Sequence, residues 1–142
     1  MTPLALLIEY EGTHYVGWQN QPNGQSVQQA IEHAIKESFG VAEPVIGSGR
    51  TDSGVHARGQ VAHVHLPEGA HQIPIDKVHI ALNTRLPRDI RVRAAVRVHE
   101  GFHARFDACS REYVYVITKS GSVFTDTFAW TPELPFSIER FA

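Results

Sequence analysis

The sequence predicts an α+β domain with ferredoxin-like order, β-α-β-β-α-β, in which an antiparallel sheet carries its helices on one face. Three observations predict it. Short β-prone runs recur at Leu4–Tyr10, Val45–Ser48, Gln60–Leu66 and Ile90–His99. Two amphipathic helical stretches fall between them, after Ser26 and after Pro74. The last of the four strands alternates almost strictly, as a half-buried antiparallel strand does.

Leu4–Tyr10 (LALLIEY) is a short apolar run that ends in a Gly-Thr loop. Gly12–Gly24 reads as loop, rich in aromatic and amide side chains: Tyr15, Trp18, Gln19, Asn20 and Gln21. Ser26 is a good N-cap, and Val27, Ala30, Ile31, Ala34 and Ile35 give the following helix, to about Phe39, one apolar stripe. Gly40 is placed to end it. Pro67–Pro74 is a connection. A second helix is expected over Ile75–Arg85, with Ile75, Val78, Leu82 and Leu86 on one face and Pro87 as its stop. In Ile90–His99, Ile90, Val92, Ala94, Val96 and Val98 are expected to face the core, and Arg91, Arg93, Ala95 and Arg97 the solvent. Further strands are expected at Arg111–Thr118 and Phe124–Trp130. Pro135–Ala142 resembles the opening turn of a helix that stops too soon to stand alone, so the chain is expected to be the N-terminal part of something longer.

The 142 residues suffice for one domain, and none of the apolar runs approaches the roughly 18 residues of a membrane span. One cysteine, Cys109, excludes an intrachain disulfide and fits a reducing, cytoplasmic location. It reads as a small core or strand residue. The formal charge of −2 is unevenly spread. Residues 1–49 carry a net −4, residues 50–111 a net +4, and residues 112–142 a net −2. Nine of the ten bases in the middle segment are arginines, whose planar fork suits phosphate as well as solvent.

The stretch around which these elements are arranged is Val45–His65, VIGSGRTDSGVHARGQVAHVH. Gly47, Gly49 and Gly54 permit a tight loop between two strands, and Arg50 and Asp52 stand two residues apart within it. Asp52 has two readings on the residues alone. Turn aspartates cap backbone N–H groups. An ionised carboxylate oriented by Arg50, Thr51 and Ser53 can instead serve as base, ligand or nucleophile. His63 and His65 share a strand face, which allows a metal pair without a third ligand at a helpful spacing; no metal is expected. Phe102–Phe106 (FHARF), then Arg111 and Tyr113, interleave aromatics with arginines. They suit either base stacking with phosphate contact or a core segment with surface charges.

Five blocks in order resemble the tRNA pseudouridine synthase A family: YEGTHYVGWQNQ (Tyr10–Gln21), SVQQAIEHAI (Ser26–Ile35), GRTDSGVHARGQV (Gly49–Val61), ALNTRLPRDIRV (Ala81–Val92) and FHARFDACSREYVYVI (Phe102–Ile117). The resemblance covers nearly the whole chain but only the first half of the family's usual length. It implies that residues 1–142 form the single, aspartate-bearing catalytic half of a pseudouridine synthase fold, with the C-terminal half absent. It implies Asp52 as the nucleophile in isomerising uridine to pseudouridine. Arg50 would pair with Asp52 and fill the space of the flipped base, and Tyr113 would pack on the uracil. His56, Arg58, Arg105 and Arg111 are candidate RNA contacts. The resemblance further implies positions 38–40 of the tRNA anticodon stem-loop as substrate, a homodimer, no cofactor and no membrane. Glu11 departs from the family's usual Asp. With half the fold missing, the chain alone is expected to be weakly active or inactive. The rival readings are a non-catalytic RNA-binding fragment of the same fold and a metal-dependent hydrolase using His63 and His65.

Overall fold

A computed structural model of the chain describes residues 1–67, 73–133 and 137. It divides into two compact units, Met1–Cys109 and Ser110–Ala142. The first contains β1 (Thr2–Tyr10), α1 (Val27–Phe39), β2 (Ile46–Gly47), β3 (Ala57–Leu66), a 3-10 turn (Ile75–Lys77), α2 (Val78–Asn83) and β4 (Ile90–Arg97). The strands form one sheet in the order β2-β3-β1-β4 with every neighbouring pair antiparallel. This is the expected β-α-β-β-α-β arrangement.

The core follows from period. Leu4, Leu6, Ile8 and Tyr10 alternate onto the buried face of β1, and Ala62, Val64 and Leu66 do the same on β3. Val27, Ile31 and Ile35 of α1 and Val78 and Leu82 of α2 complete the same cluster. The ends of α1 are as the sequence predicts. The Ser26 hydroxyl accepts the Gln29 N–H, and Gly40 closes the helix in the left-handed region at φ 70°.

Three elements differ from expectation. The second helix is shorter than Ile75–Arg85. It enters as 3-10 after Pro74, with no side-chain cap, and only Val78–Asn83 is α. In β4, the pairing jumps from Leu7–Ala94 to Ile8–Val92, leaving Arg93 as an extra residue. That bulge reverses the alternation beyond it: Ala95 is buried, and Val96, expected inside, is 53% exposed. The bulge lies beside Asn83, whose side chain takes both main-chain groups of Val92. The Val92 N–H donates to Oδ1 at 2.8 Å, and Nδ2 donates to the Val92 carbonyl at 2.8 Å.

The third difference concerns the second unit. Residues 111–116 are not a strand: their alternating pattern finds no ladder among the described residues, and Val114 and Tyr115 stand exposed. Among the described residues of this unit, one parallel bridge forms, Ile117–Trp130. Phe124–Trp130 is mostly turn rather than strand. There the Ser122 carbonyl accepts from Thr125 and Asp126, and the Asp126 carboxylate accepts the Ser122 N–H. These local bonds satisfy the backbone before a neighbouring strand could. Cys109 is exposed rather than buried. The helical turn expected over 135–142 lies outside the described residues, Ser137 apart.

Candidate active site

The loop from Gly49 to His56 is clamped on both sides by main-chain and side-chain hydrogen bonds. On one side, the Ser48 N–H donates to the Val61 carbonyl (2.7 Å), the Ser48 hydroxyl donates to Gln60 Oε1 (2.8 Å) and Gln60 Nε2 donates to the Gly49 carbonyl (2.8 Å). On the other stands the segment between β1 and α1. The Trp18 N–H donates to the Thr51 carbonyl at 3.0 Å, and the Gly54 N–H and Ser53 hydroxyl donate to the Tyr15 carbonyl at 3.2 Å each. The Tyr10 and Thr51 hydroxyls meet at 2.8 Å.

That segment is itself fixed by α1. The Val27 and Gln28 N–H groups, free at a helix N-terminus, donate to the carbonyls of Gly17 and Trp18. Two glycines then let the strands of chain touch. A Cβ on Gly17, at φ +103°, would lie 2.5 Å from the Thr51 carbonyl oxygen, and one on Gly12 would lie 2.1 Å from that of Val55. Tyr15 is buried, and its hydroxyl donates to Asp89 Oδ1 at 2.7 Å, tying the segment to the start of β4. Burial, then the Asp89 carboxylate, pushes the Tyr15 phenol well above its ordinary range. The Tyr10 phenol is raised by burial, partly offset by hydrogen bonds to Thr51 and Gln60.

Asp52 sits at the exposed tip of this clamp. Its carbonyl accepts the Val55 N–H (3.2 Å), but its carboxylate takes no hydrogen bond or ion pair from the described residues. The capping role open to a turn aspartate is therefore not the one this side chain has. Arg50 is also exposed, and no ion pair joins it to Asp52 among the described residues, so the pairing expected of these two is not formed here.

The remaining candidates divide. His56 is half-buried, with Nδ1 2.9 Å from the Gly12 N and 3.1 Å from Glu11 Oε1. The Thr13 hydroxyl, then its N–H and the neighbouring His56 and His14, hold the Glu11 carboxyl below its ordinary range. Arg58 is exposed at the start of β3. Arg105 is exposed in the turn after β4, next to Phe106, which is 77% exposed and stacked on His103 with ring centroids 4.1 Å apart. Arg111 and Tyr113 belong to the second unit, where Tyr113 is 66% exposed. His63 and His65 do share a neighbourhood, their rings 5.2 Å apart. His63 is nonetheless buried, its Nδ1 accepts the Ala104 N–H, and the described residues hold no group of three that could bind a metal ion.

Sequence reasoning found the loop and missed its clamp. Tyr10, Gly12, Tyr15 and Gly17 do the holding, and only the aromatic and glycine content of the segment hinted at it.

The first unit is thus an α+β domain with a ferredoxin-like antiparallel sheet and helices. The comparisons with known proteins agree. The family model described as tRNA pseudouridine synthase matches residues 6–107. The chain is 45% identical over 141 residues to tRNA pseudouridine synthase A of Akkermansia muciniphila, covering 98% of this chain and 53% of that protein. It is 43% identical over 141 residues to tRNA pseudouridine synthase A of Chlamydia pneumoniae, with the same coverage of 98% and 53%. It is 42% identical over 132 residues to that of Brachyspira hyodysenteriae, covering 92% and 52%. The chain belongs to the tRNA pseudouridine synthase family. It spans about half the length of the curated relatives it matches. No helix among the described residues is long and apolar enough to cross a membrane.

Proposed function

We propose that this chain is the aspartate-bearing part of a tRNA pseudouridine synthase, which isomerises uridine to pseudouridine at positions 38–40 of the anticodon stem-loop. Asp52 is the nucleophile. The N1–C1′ bond breaks, the uracil turns, and C5 bonds to C1′; C5 then loses its proton while N1 regains one. The target nucleotide must leave the stack, since C1′ and the uracil edge are otherwise closed off. Arg50 helps fill the space the base vacates, and Tyr113 packs on the uracil. Arg105 with the exposed Phe106 contacts the RNA by charge and stacking, and His56, Arg58 and Arg111 add contacts to its backbone. The protein works as a cytoplasmic homodimer.

The observation that carries this reading is the Asp52 carboxylate, uncommitted among the described residues. The loop is held by its backbone and by Ser48, Thr51, Ser53 and Gln60, so its one carboxylate remains available to a ligand. The test is Asp52→Asn in the full-length gene product, with pseudouridine in tRNA measured by mass spectrometry. Loss of turnover by about a thousandfold or more with tRNA binding retained supports the enzyme. Binding in both proteins with turnover in neither supports the non-catalytic RNA-binding fragment instead.

A further inference from the structure

The turn that carries Arg105 is closed by the Phe106 and Asp107 N–H groups, which donate to the His103 carbonyl, and imidazole nitrogens take the N–H groups before them. The Ala104 N–H donates to His63 Nδ1 at 3.1 Å in a buried contact. The Arg105 and Phe106 N–H groups point at His103 Nδ1, at 3.3 and 3.4 Å. The His103 N–H in turn donates to Asp107 Oδ2 at 2.8 Å. The Ala104 and Arg105 N–H groups thus depend on lone pairs that exist only on neutral imidazole rings, whereas the Phe106 N–H also has the His103 carbonyl at 3.0 Å.

His63 is the buried member of the pair, 1% exposed, and its Nε2 finds no partner among the described residues. An acceptor at Nδ1 places the proton of the neutral ring on Nε2. A second proton would have to enter at Nδ1, where it would face the Ala104 N–H directly. The groups facing His63 are His65 on its own strand, and His103 and Asp107 of the turn. Its cross-strand neighbours are apolar, Ala5 on β1 and Ile46 on β2.

We propose that His63 is a positioning residue: in its neutral form it holds the Ala104 N–H and so sets the turn that presents Arg105, and its protonation releases that turn. The functional consequence rests on the reading above, in which Arg105 contacts RNA. Burial, with the neighbouring His103 and His65, lowers the His63 pKa, so the held state persists at neutral pH and release belongs to acid.

Amide hydrogen exchange and imidazole nitrogen shifts of the full 142-residue chain test this. At pH 7.5, His63 is expected to carry its proton on Nε2. Below the His63 pKa, the protection factor of the Ala104 amide should fall about tenfold per pH unit, while amides of β1 and α1 stay protected. His63→Asn, whose side-chain oxygen can accept at the Nδ1 position, should keep Ala104 protected with no such fall in acid. His63→Phe should lose that protection at every pH. A proton on Nδ1 at pH 7.5, or Ala104 protection in the wild type that does not change with pH, overturns the proposal, and both are read on the wild-type chain even if a variant fails to fold. Binding to a tRNA transcript then separates the two readings. Affinity that weakens about tenfold or more between pH 7.5 and 5.5 in the wild type, but not in Arg105→Ala or His63→Asn, supports positioning of an RNA contact. Absence of tRNA binding at any pH overturns the functional reading while the amide data still decide the role of His63. Equal pH dependence in all three proteins overturns the link between His63 and Arg105.

Discussion

The Tyr10 hydroxyl at the end of β1 lies 2.8 Å from the Thr51 hydroxyl, beside Asp52 and 41 residues away in sequence. This bond joins the central strand of the sheet to the loop that presents the carboxylate. Tyr10→Phe and Thr51→Val should each destabilise the chain by about 1 kcal/mol, the net worth of one such hydrogen bond. The double variant should fall short of the sum, with a coupling of about 0.5 kcal/mol or more in urea unfolding. Additive effects would mean that the two hydroxyls do not act together.

Gly17 makes the sharper prediction. Gly17→Ala forces a side chain into φ +103° and against the Thr51 oxygen. A cost of about 2 kcal/mol or more is expected from strain and the displaced Trp18–Thr51 bond together. Gly40→Ala has a positive φ but open space around it, and should cost about 1 kcal/mol. Thermal unfolding of the two variants ranks them.

The bulge in β4 is tested by charge. Ala95→Asp would bury an unpaired carboxylate and should cost about 3 kcal/mol or more. Val96→Asp lies on the exposed side and should cost about 1 kcal/mol or less. Strict alternation through Arg93 predicts the opposite ranking.

Alkaline stability should follow the buried phenols. In the unfolded chain Tyr15 loses its proton near pH 10; in the fold burial and Asp89 keep it protonated beyond that. The folded state therefore binds more protons above pH 10, and stability must fall as pH rises there. Tyr15→Phe should be less stable at pH 8, by about 1 kcal/mol for the lost bond to Asp89, and should lose less between pH 10 and 11 than the wild type. Urea midpoints at the three pH values check both parts.

What could be read from the sequence was what depends on near neighbours. The apolar stripe from Val27 to Ile35, with Ser26 and Gly40 at its ends, specifies α1 wholly within its own residues, and the structure has it there. The face of Val96 could not be read that way, because the bulge sits where Asn83, from another element, takes the main chain of Val92. Residues 111–116 alternate as well as β4 does, yet alternation gives a face and not a partner strand. At the site, glycine spacing exposed the Asp52 loop, but not the Tyr10, Tyr15 and Trp18 contacts that hold it across the sheet. His63 was legible only as half of a His-x-His pair. The Ala104 N–H that it accepts comes from the turn after β4, 41 residues on.

The Asn83 amide that meets Val92 also decides what the outer margin of the sheet can accept. A free strand margin offers its main-chain groups to any extended segment that comes alongside. Here the two groups of Val92 are already engaged, and the extra residue at Arg93 breaks the spacing just beyond. A further strand, from this protein or another, could zip onto β4 only from Ala94 onward. Asn83 thus works as a stop that confines any growth of the sheet on this side to the last few residues of β4.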